Sequence, residues 1–488
     1  MNTAPQSSDS LAVLLPGFAG PIAPEWVLTM LAEGMGGVAL FGENVESAHQ
    51  LSALTAELHA ASPHSLIAID EEGGDVTRLY QSVGSPFPGN AVLGRLDSPS
   101  LTKAVGEQVG WELRAAGVDF TLAPDVDVNS NPLNPVIGVR SFGDRAELVA
   151  RHGAAWIEGV QSTGVAACAK HFPGHGDTSQ DSHLALPVVD APEDVVRARD
   201  IAPFKAAIAA GVKSVMTSHI VMPALDAQPA TFSSRILQGL LRDELGFDGL
   251  IITDALDMAG ASADRGIPAA AVAAIAAGAD LLCIGTNNSE AQMRDIARTV
   301  DRAVAMGELP AERLAQAAAR VRALGAQTAA ARQYGAVPST LVTGLVQGLT
   351  LEKAAQAFVV SDGAKAALSV RNGAPLVWLR LEPSQNIAVG DSPWGPFAPG
   401  LVCAAATLAP GETPDAILTA ASAGLPVVVG KDNHRHRFAR DAITALRAQG
   451  PVVVVDMGWP DLDQGFADIA TFGASRLVGE ALVRRIDE

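Results

Sequence analysis

LVARHGAAWIEGVQSTGVAACAKHF, residues 148–172, is a helix-length segment running into a buried strand. Leu148 to Thr163 have helical apolar spacing, and Gly164 marks the helix end. GVAACAKHF is then a short apolar run stopping on the polar pair Lys170 and His171. The same unit recurs in both directions along the chain. Apolar runs bounded by turn residues lie at LAVLL (11–15), GGVALF (36–41), SLIAID (65–70), VDFTLAP (118–124), VKSVMTSH (212–219), GLIITD (249–254) and ADLLCIG (279–285). Between them, Ala48 to Ala60, Leu101 to Ala116 and Pro268 to Ala277 are again helical in length and spacing, and end near glycine. Eight strand–helix units predict a (β/α)8 barrel of the TIM type, which takes about 250 residues or more. A flat parallel sheet is the competing architecture.

An alanine-rich helix, Ala311 to Ala331, gives way to YGAVPST and then to a second set of alternating elements. AFVVSD, PLVWLRL, LPVVVG and PVVVVDMG read as strands buried on both faces, the pattern of a small parallel α/β sandwich. The expected organisation is a barrel over residues 1–325, a linker over 326–350 and a smaller C-terminal α/β sandwich over 351–488. The 488 residues carry 34 basic and 53 acidic side chains, a formal charge of −19. That balance repels phosphate backbones and anionic lipid surfaces, so no nucleic acid and no membrane is expected as a partner, and a neutral substrate fits better. Cys168, Cys283 and Cys403 lie too far apart for a disulfide framework or a zinc motif and read as core thiols. The N-terminus has no signal-like apolar stretch, and no segment reaches membrane-spanning length, so a cytoplasmic location is expected.

Barrel enzymes place their chemistry at the C-terminal ends of the strands. Here those ends carry Asp70, Asp125 and Asp127, Lys170 and His171, Ser218 and His219, and Asp254. Any one of them alone is as well explained as a helix cap or a loop hydrogen bond; the whole set is not. The densest segment, KHFPGHGDTSQDSHLALP (170–187), is broken by Pro173, Gly174 and Gly176 and reads as a loop over the barrel mouth. Its His171, His175, Asp177, Asp181 and His183 leave two readings. One is a metal site for a metal-dependent hydrolase, disfavoured because neither an H-E-x-x-H helix nor a hard-cation carboxylate cluster is present. The other is acid–base chemistry, with Asp181 hydrogen-bonded to His183 and tuning it. Across the cleft, Asp254 would then be a nucleophile able to attack an anomeric carbon. In IDEEGGDVTRLY (69–80), Asp70 would meet neutral hydroxyls, Gly73 and Gly74 would let backbone approach a ligand, and Arg78 would reach back as a multidentate donor. Farther on, Asn433, His434 and His436 of KDNHRHRF could line an interdomain cleft, but a solvated helix start is the favoured reading.

Together, Asp70 to Arg78, IGVRSFGD (137–144), KHFPGHGDTSQDSH (170–183) and the run from MTSHIVMPALD to GLIITDALDM resemble glycoside hydrolase family 3, in its bacterial β-N-acetylglucosaminidase branch of the two-domain Gram-positive type. The resemblance spans residues 10–325. It implies a retaining exo-β-N-acetylglucosaminidase that removes terminal GlcNAc from peptidoglycan-derived fragments. Asp254 would be the nucleophile, His183 the acid/base and Asp181 its dyad partner. Asp70, Arg78, Arg140, Lys170 and His171 match the sugar-binding positions, and His175 is taken as loop-shaping. No cofactor and no metal is implied. The partner is a GlcNAc-containing muropeptide or disaccharide, and a monomer is the simplest state. Glu71 stands where many relatives carry glutamine, and Ala255 where an acidic or bulky residue is common; neither is expected to touch a proposed catalytic group, so the departures bear on sugar preference and not on mechanism. Alternatives are a phosphorylase using phosphate as acceptor, a β-glucosidase or β-xylosidase of the same fold, and an inactive carbohydrate-binding protein.

Overall fold

A computed structural model describes residues 9–180, 186–263, 265–334, 336–369, 371, 373–384 and 386–487. Eight short strands build the first domain: β1 (Leu14–Pro16), β2 (Gly37–Leu40), β3 (Leu66–Ile69), β4 (Phe120–Thr121), β5 (Ala166–Phe172), β6 (Ser214–Thr217), β7 (Leu250–Thr253) and β8 (Leu282–Gly285). Strands β2 to β7 form one parallel sheet in chain order, and β8 pairs in parallel with β1. The ring closes where the Thr253 N–H donates to the Leu281 carbonyl at 3.0 Å and where the Gly36 N–H donates to that of Leu11 at 3.1 Å. The flat-sheet alternative is thereby set aside. Every residue of these strands is buried, as expected for a parallel sheet with helices on its outer face.

The barrel interior follows from the two-residue period of strands. Leu66 and Ala68, Ala166 and Cys168, and Leu250 and Ile252 share one core cluster inside the barrel. Their neighbours Ile67 and Ile69, Ala167 and Ala169, and Ile251 belong to the surrounding core. Continuing the inward parity along each strand reaches Lys170 near the end of β5, and Asp70 and Asp254 one residue past β3 and β7. The other end is closed by the helix Ala311–Tyr334, whose Val321 and Leu324 join the interior cluster. Its Arg313 and Arg320 reach buried Asp280 at 2.5 and 3.2 Å, and its Arg332 reaches buried Asp119.

The second domain is a six-stranded sheet in the order β11-β10-β12-β13-β14-β9. Its strands are β9 (Val359–Val360), β10 (Leu376–Leu381), β11 (Ala406–Leu408), β12 (Leu425–Gly430), β13 (Val453–Asp456) and β14 (Ile469–Ala470). Val427, Val429, Val453 and Val455 pack on one face with Val478 and Leu482, and Val428 and Val454 on the other with Ile443 and Leu446. One expectation is corrected. AFVVSD is a half-buried edge strand running antiparallel to β14, because it enters the sheet from the linker side instead of through a crossover helix. Cys168 and Cys283 are buried, but Cys403 is exposed, so it is no core thiol.

The domains share a packed boundary. Val92 of the barrel domain lies in the second domain's core cluster, and Ala91 meets Ala470 and Phe472. The Arg95 guanidinium sits 3.9 Å from the centre of the Phe472 ring, and its Nε donates to the Ala357 carbonyl at 2.7 Å. Among the described residues, no helix is long and apolar enough to cross a membrane.

Candidate active site

A chain of charged groups crosses the barrel mouth. Lys170, near the end of β5, places Nζ 2.5 Å from Asp70 Oδ1 and 2.8 Å from Glu72 Oε1. Glu72 also receives Arg140 Nη2 at 2.7 Å and Nε at 3.1 Å, and Asp70 Oδ2 lies 3.3 Å from Arg78 Nη2. Glu72, Lys170, Arg140 and Arg78 are all buried. Burial opposes ionisation of Glu72, but the charges of Arg140 and Lys170 outweigh it and hold the carboxyl well below its ordinary range. Burial likewise pulls Lys170 down, and Asp70 and Glu72 outweigh it, so the ammonium stays charged. Buried Glu72 and partly exposed Asp70, clamped by three cations, form a rigid array of donors and acceptors suited to neutral hydroxyls.

A second layer holds His171. Asp127 Oδ2 lies 2.7 Å from His171 Nδ1, and Asp127 Oδ1 accepts the His175 N–H at 2.6 Å. Asp127 is buried, a cost that the His171 charge outweighs, keeping its carboxyl low. This contact fixes which face His171 offers to the mouth. His175 is buried and pushed down to about 4 by desolvation, with Nδ1 2.9 Å from Thr178 Oγ1. Asp125, 3.7 Å from Arg140, is raised by burial and by the charge of Asp127. Asp125, Asp127 and His171 bring ligand atoms within 4.8 Å of one another, but Asp127 and His171 already bond to each other and Arg140 faces Asp125. Of the five residues weighed for a metal, His171, His175 and Asp177 are among the described residues: the two imidazoles lie 5.8 Å apart, and Asp177 pairs with Arg199 at 2.8 Å.

Asp254 follows β7. Its Oδ1 accepts the N–H of Ala255 at 2.8 Å, and its own N–H donates to the Thr217 carbonyl at 3.2 Å. The Ala255 carbonyl lies 3.0 Å from Nε2 of buried His219, whose Nδ1 lies 2.9 Å from Thr231 Oγ1. His219 therefore braces the turn that aims the carboxylate. Asp254 and Asp70 each follow the interior residues of a strand, Ile252 and Ala68, by the two-residue period, which places the two carboxylates around the same end of the barrel.

The structure thus brings Asp70, Arg78, Arg140, Lys170 and His171 to one mouth, with Asp254 on the strand after Lys170's neighbour. Asp181 and His183 lie outside the described residues. Four details differ from expectation. Gly74 serves internal packing, since a Cβ there would sit 2.4 Å from the Gly89 Cα, closer than any ligand role requires. Ala255 is in contact with Asp254 through its backbone, and Glu71 accepts the Arg78 N–H at 2.8 Å, so both departures touch the site. The KDNHRHRF segment is no solvated helix start. Asn433 and His434 are buried, and His436 lines an interdomain cleft of about 770 Å3 with Arg380, Trp394 and Arg435. Glu72 has no role in the sequence reading, although it shares the inward parity of Ala68 and Asp70, and His219 enters it only as a strand-end residue without an assigned role.

The family of glycosyl hydrolase family 3 N terminal domains matches residues 22–324. The chain belongs to glycosyl hydrolase family 3. Beta-hexosaminidase A of Pseudoalteromonas piscicida is 42% identical over 250 residues, 47% of this chain and 42% of that protein. Beta-hexosaminidase of Methylococcus capsulatus is 40% identical over 51% of this chain and 75% of its own length. The family 3 β-N-acetylglucosaminidase of Paenibacillus sp. FPU-7 superposes with a TM-score of 0.86 at 30% identity, covering 99% of this chain and 96% of its own. NagZ of Neisseria gonorrhoeae, solved with N-trifluoroacetyl-D-glucosamine, covers 64% of this chain and 98% of its own at 32% identity and a TM-score of 0.53. This family 3 member is a glycosidase.

Proposed function

We propose that this glycosidase is a cytoplasmic, retaining exo-β-N-acetylglucosaminidase acting on terminal GlcNAc of peptidoglycan-derived fragments. The observation that carries the reading is the inward parity of Asp254, Asp70 and Lys170 at the end of the barrel from which the KHFPGHGDTSQDSH loop departs. Asp70, Arg78 and Lys170 would hold the hydroxyls, with His171 and Arg140 completing the ring of donors. Asp254 attacks the anomeric carbon while His183, oriented by Asp181, gives its proton to the departing oxygen. The glycosidic bond breaks and an ester to Asp254 forms. His183, now a base, takes a proton from water, whose oxygen displaces Asp254 and releases the β-anomer. Two inversions give net retention.

Side-by-side release of nitrophenol from the β-N-acetylglucosaminide and the β-glucoside, each with and without chelator and phosphate, tests the reading. Turnover of the first alone, indifferent to both additions, is expected. Preference for the glucoside would overturn the substrate, chelator sensitivity the metal-free chemistry, and a sugar 1-phosphate product the choice of acceptor. Asp254→Ala is expected to lower kcat by several orders of magnitude with the fold intact, since the strand-end carboxylate contributes no apolar packing. Residual activity above about one per cent, with unchanged circular dichroism, would refute the nucleophile assignment.

A further inference from the structure

The second domain reaches into the sugar site through one turn. Between β10 and β11, Asn386 Oδ1 accepts the Ala388 N–H at 2.9 Å, and the Asn386 carbonyl accepts the N–H groups of Val389 and Gly390 at 3.1 and 3.0 Å. Gly390 has φ of +72°, which lets the chain reverse there. Wound in this way, the turn points the carbonyls of Ala388 and Val389 at the barrel, where they accept Arg78 Nη2 at 2.7 Å and Nη1 at 2.9 Å. The same guanidinium contacts Asp70 at 3.3 Å on its other side.

Asn386 also works in the other direction. Its Nδ2 donates to the carbonyls of Pro135 and Val136 at 3.3 and 3.4 Å, and the Val136 carbonyl accepts Arg140 Nη1 at 3.4 Å. At the far end of the turn, Gln81 Nε2 donates to the Asp391 carbonyl at 2.8 Å. One side chain of the second domain therefore links the turn that grips Arg78 to the backbone that grips Arg140. Asp70 offers Arg78 a single contact, whereas a guanidinium carries five N–H donors. The two carbonyls supply the fork that keeps it from swinging away.

We propose that Asn386 is a positioning residue for the sugar site, acting through Arg78, so that the second domain sets substrate affinity without touching the reacting atoms. This rests on the reading of Arg78 as a sugar-binding residue. The test compares wild type, Asn386→Ala, Asn386→Asp, Arg78→Ala and the Arg78→Ala/Asn386→Ala double variant on whichever nitrophenyl glycoside the wild type hydrolyses. Asn386→Ala is expected to raise KM about 5- to 10-fold with kcat within about 2-fold, the range of one or two lost hydrogen bonds. Asn386→Asp keeps the Oδ1 acceptor that winds the turn but replaces the Nδ2 donor with an oxygen facing the carbonyls of Pro135 and Val136, and is expected to recover only part of that affinity. Added to Arg78→Ala, the Asn386 change is expected to cost nothing further.

An unchanged KM in Asn386→Ala while Arg78→Ala raises it would overturn the proposal alone. So would an equal penalty from Asn386→Ala with and without Arg78. An unchanged KM in Arg78→Ala would overturn the sugar-binding reading beneath it. Should Asn386→Ala fail to fold, Gln81→Ala unties the same turn at Asp391 and is expected to raise KM in the same Arg78-dependent manner, with an unchanged KM counting against the proposal.

Discussion

Glu71 illustrates how one residue ties folding to pH. It is wholly buried, and its Oε2 accepts the Thr77 hydroxyl at 3.0 Å and the N–H groups of Arg78 and Leu79 at 2.8 and 2.9 Å. Burial pushes its carboxyl up to about 7 from an ordinary 4.5, against the pull of those donors. A raised folded-state pKa means that between about pH 4.5 and 7 the native chain keeps a proton that the unfolded chain has released. Stability from this group is complete below that window, falls as pH rises through it, and is level above. The loss is on the order of 3 kcal/mol. Glu71→Gln removes the titration and preserves an acceptor for the three donors. Urea unfolding at pH 5, 6, 7 and 8 is expected to move in favour of Glu71→Gln between pH 5 and 7 and to change little beyond. Parallel stability curves for the two proteins across that range would refute it.

At the scale of elements, legibility tracked periodicity. The strands were readable because parallel strands buried on both faces are continuous apolar runs, and Asp70, Lys170 and Asp254 were readable because each ends such a run. Partners were harder. Glu72 meets Arg140, 68 residues away in sequence, and Asp127 meets His171, 44 residues away, and nothing local encodes which acid faces which base. The short strands β11 and β14 were weakly marked, being three and two residues long. The barrel floor was invisible for the same reason. Asp280 looks like an ordinary turn residue, yet its buried carboxylate receives Arg242, Arg313 at 2.5 Å, Arg320 at 3.2 Å and the Ile251 N–H at 3.0 Å. These contacts tie the helix Ala311–Tyr334 to the end of the barrel opposite the mouth. Asp280→Ala leaves the buried Arg242 guanidinium without its counter-ion and is expected to lower the unfolding free energy by about 3–5 kcal/mol. Residues at the end of a barrel opposite the mouth serve stability, so kcat and KM of the folded variant are expected to match wild type. A changed kcat at unchanged urea midpoint would reverse the assignment.

At the scale of the molecule, the two domains are coupled by packing and not only by a linker. Val92 is fully buried in the second domain's core, Asp75 of the barrel accepts the Ala474 N–H at 2.8 Å, and Lys431 lies 3.7 Å from Asp75. None of this was legible, because Val92 sits in a helix whose sequence, NAVLGRL, reads as facing its own barrel. A boundary made of core side chains makes the domains unfold together, so a single calorimetric transition is expected for the wild type. Val92→Asp places a carboxylate in an apolar cluster, a change that costs several kcal/mol and falls on the boundary. The expected outcome is that the single transition splits into two, the barrel melting separately from the sandwich. Because the second domain also grips Arg78 through Ala388 and Val389, the same variant is expected to lose substrate affinity below its first transition. A single transition at the wild-type temperature with unchanged KM would mean that the boundary carries neither stability nor alignment, and that the barrel holds its arginines unaided.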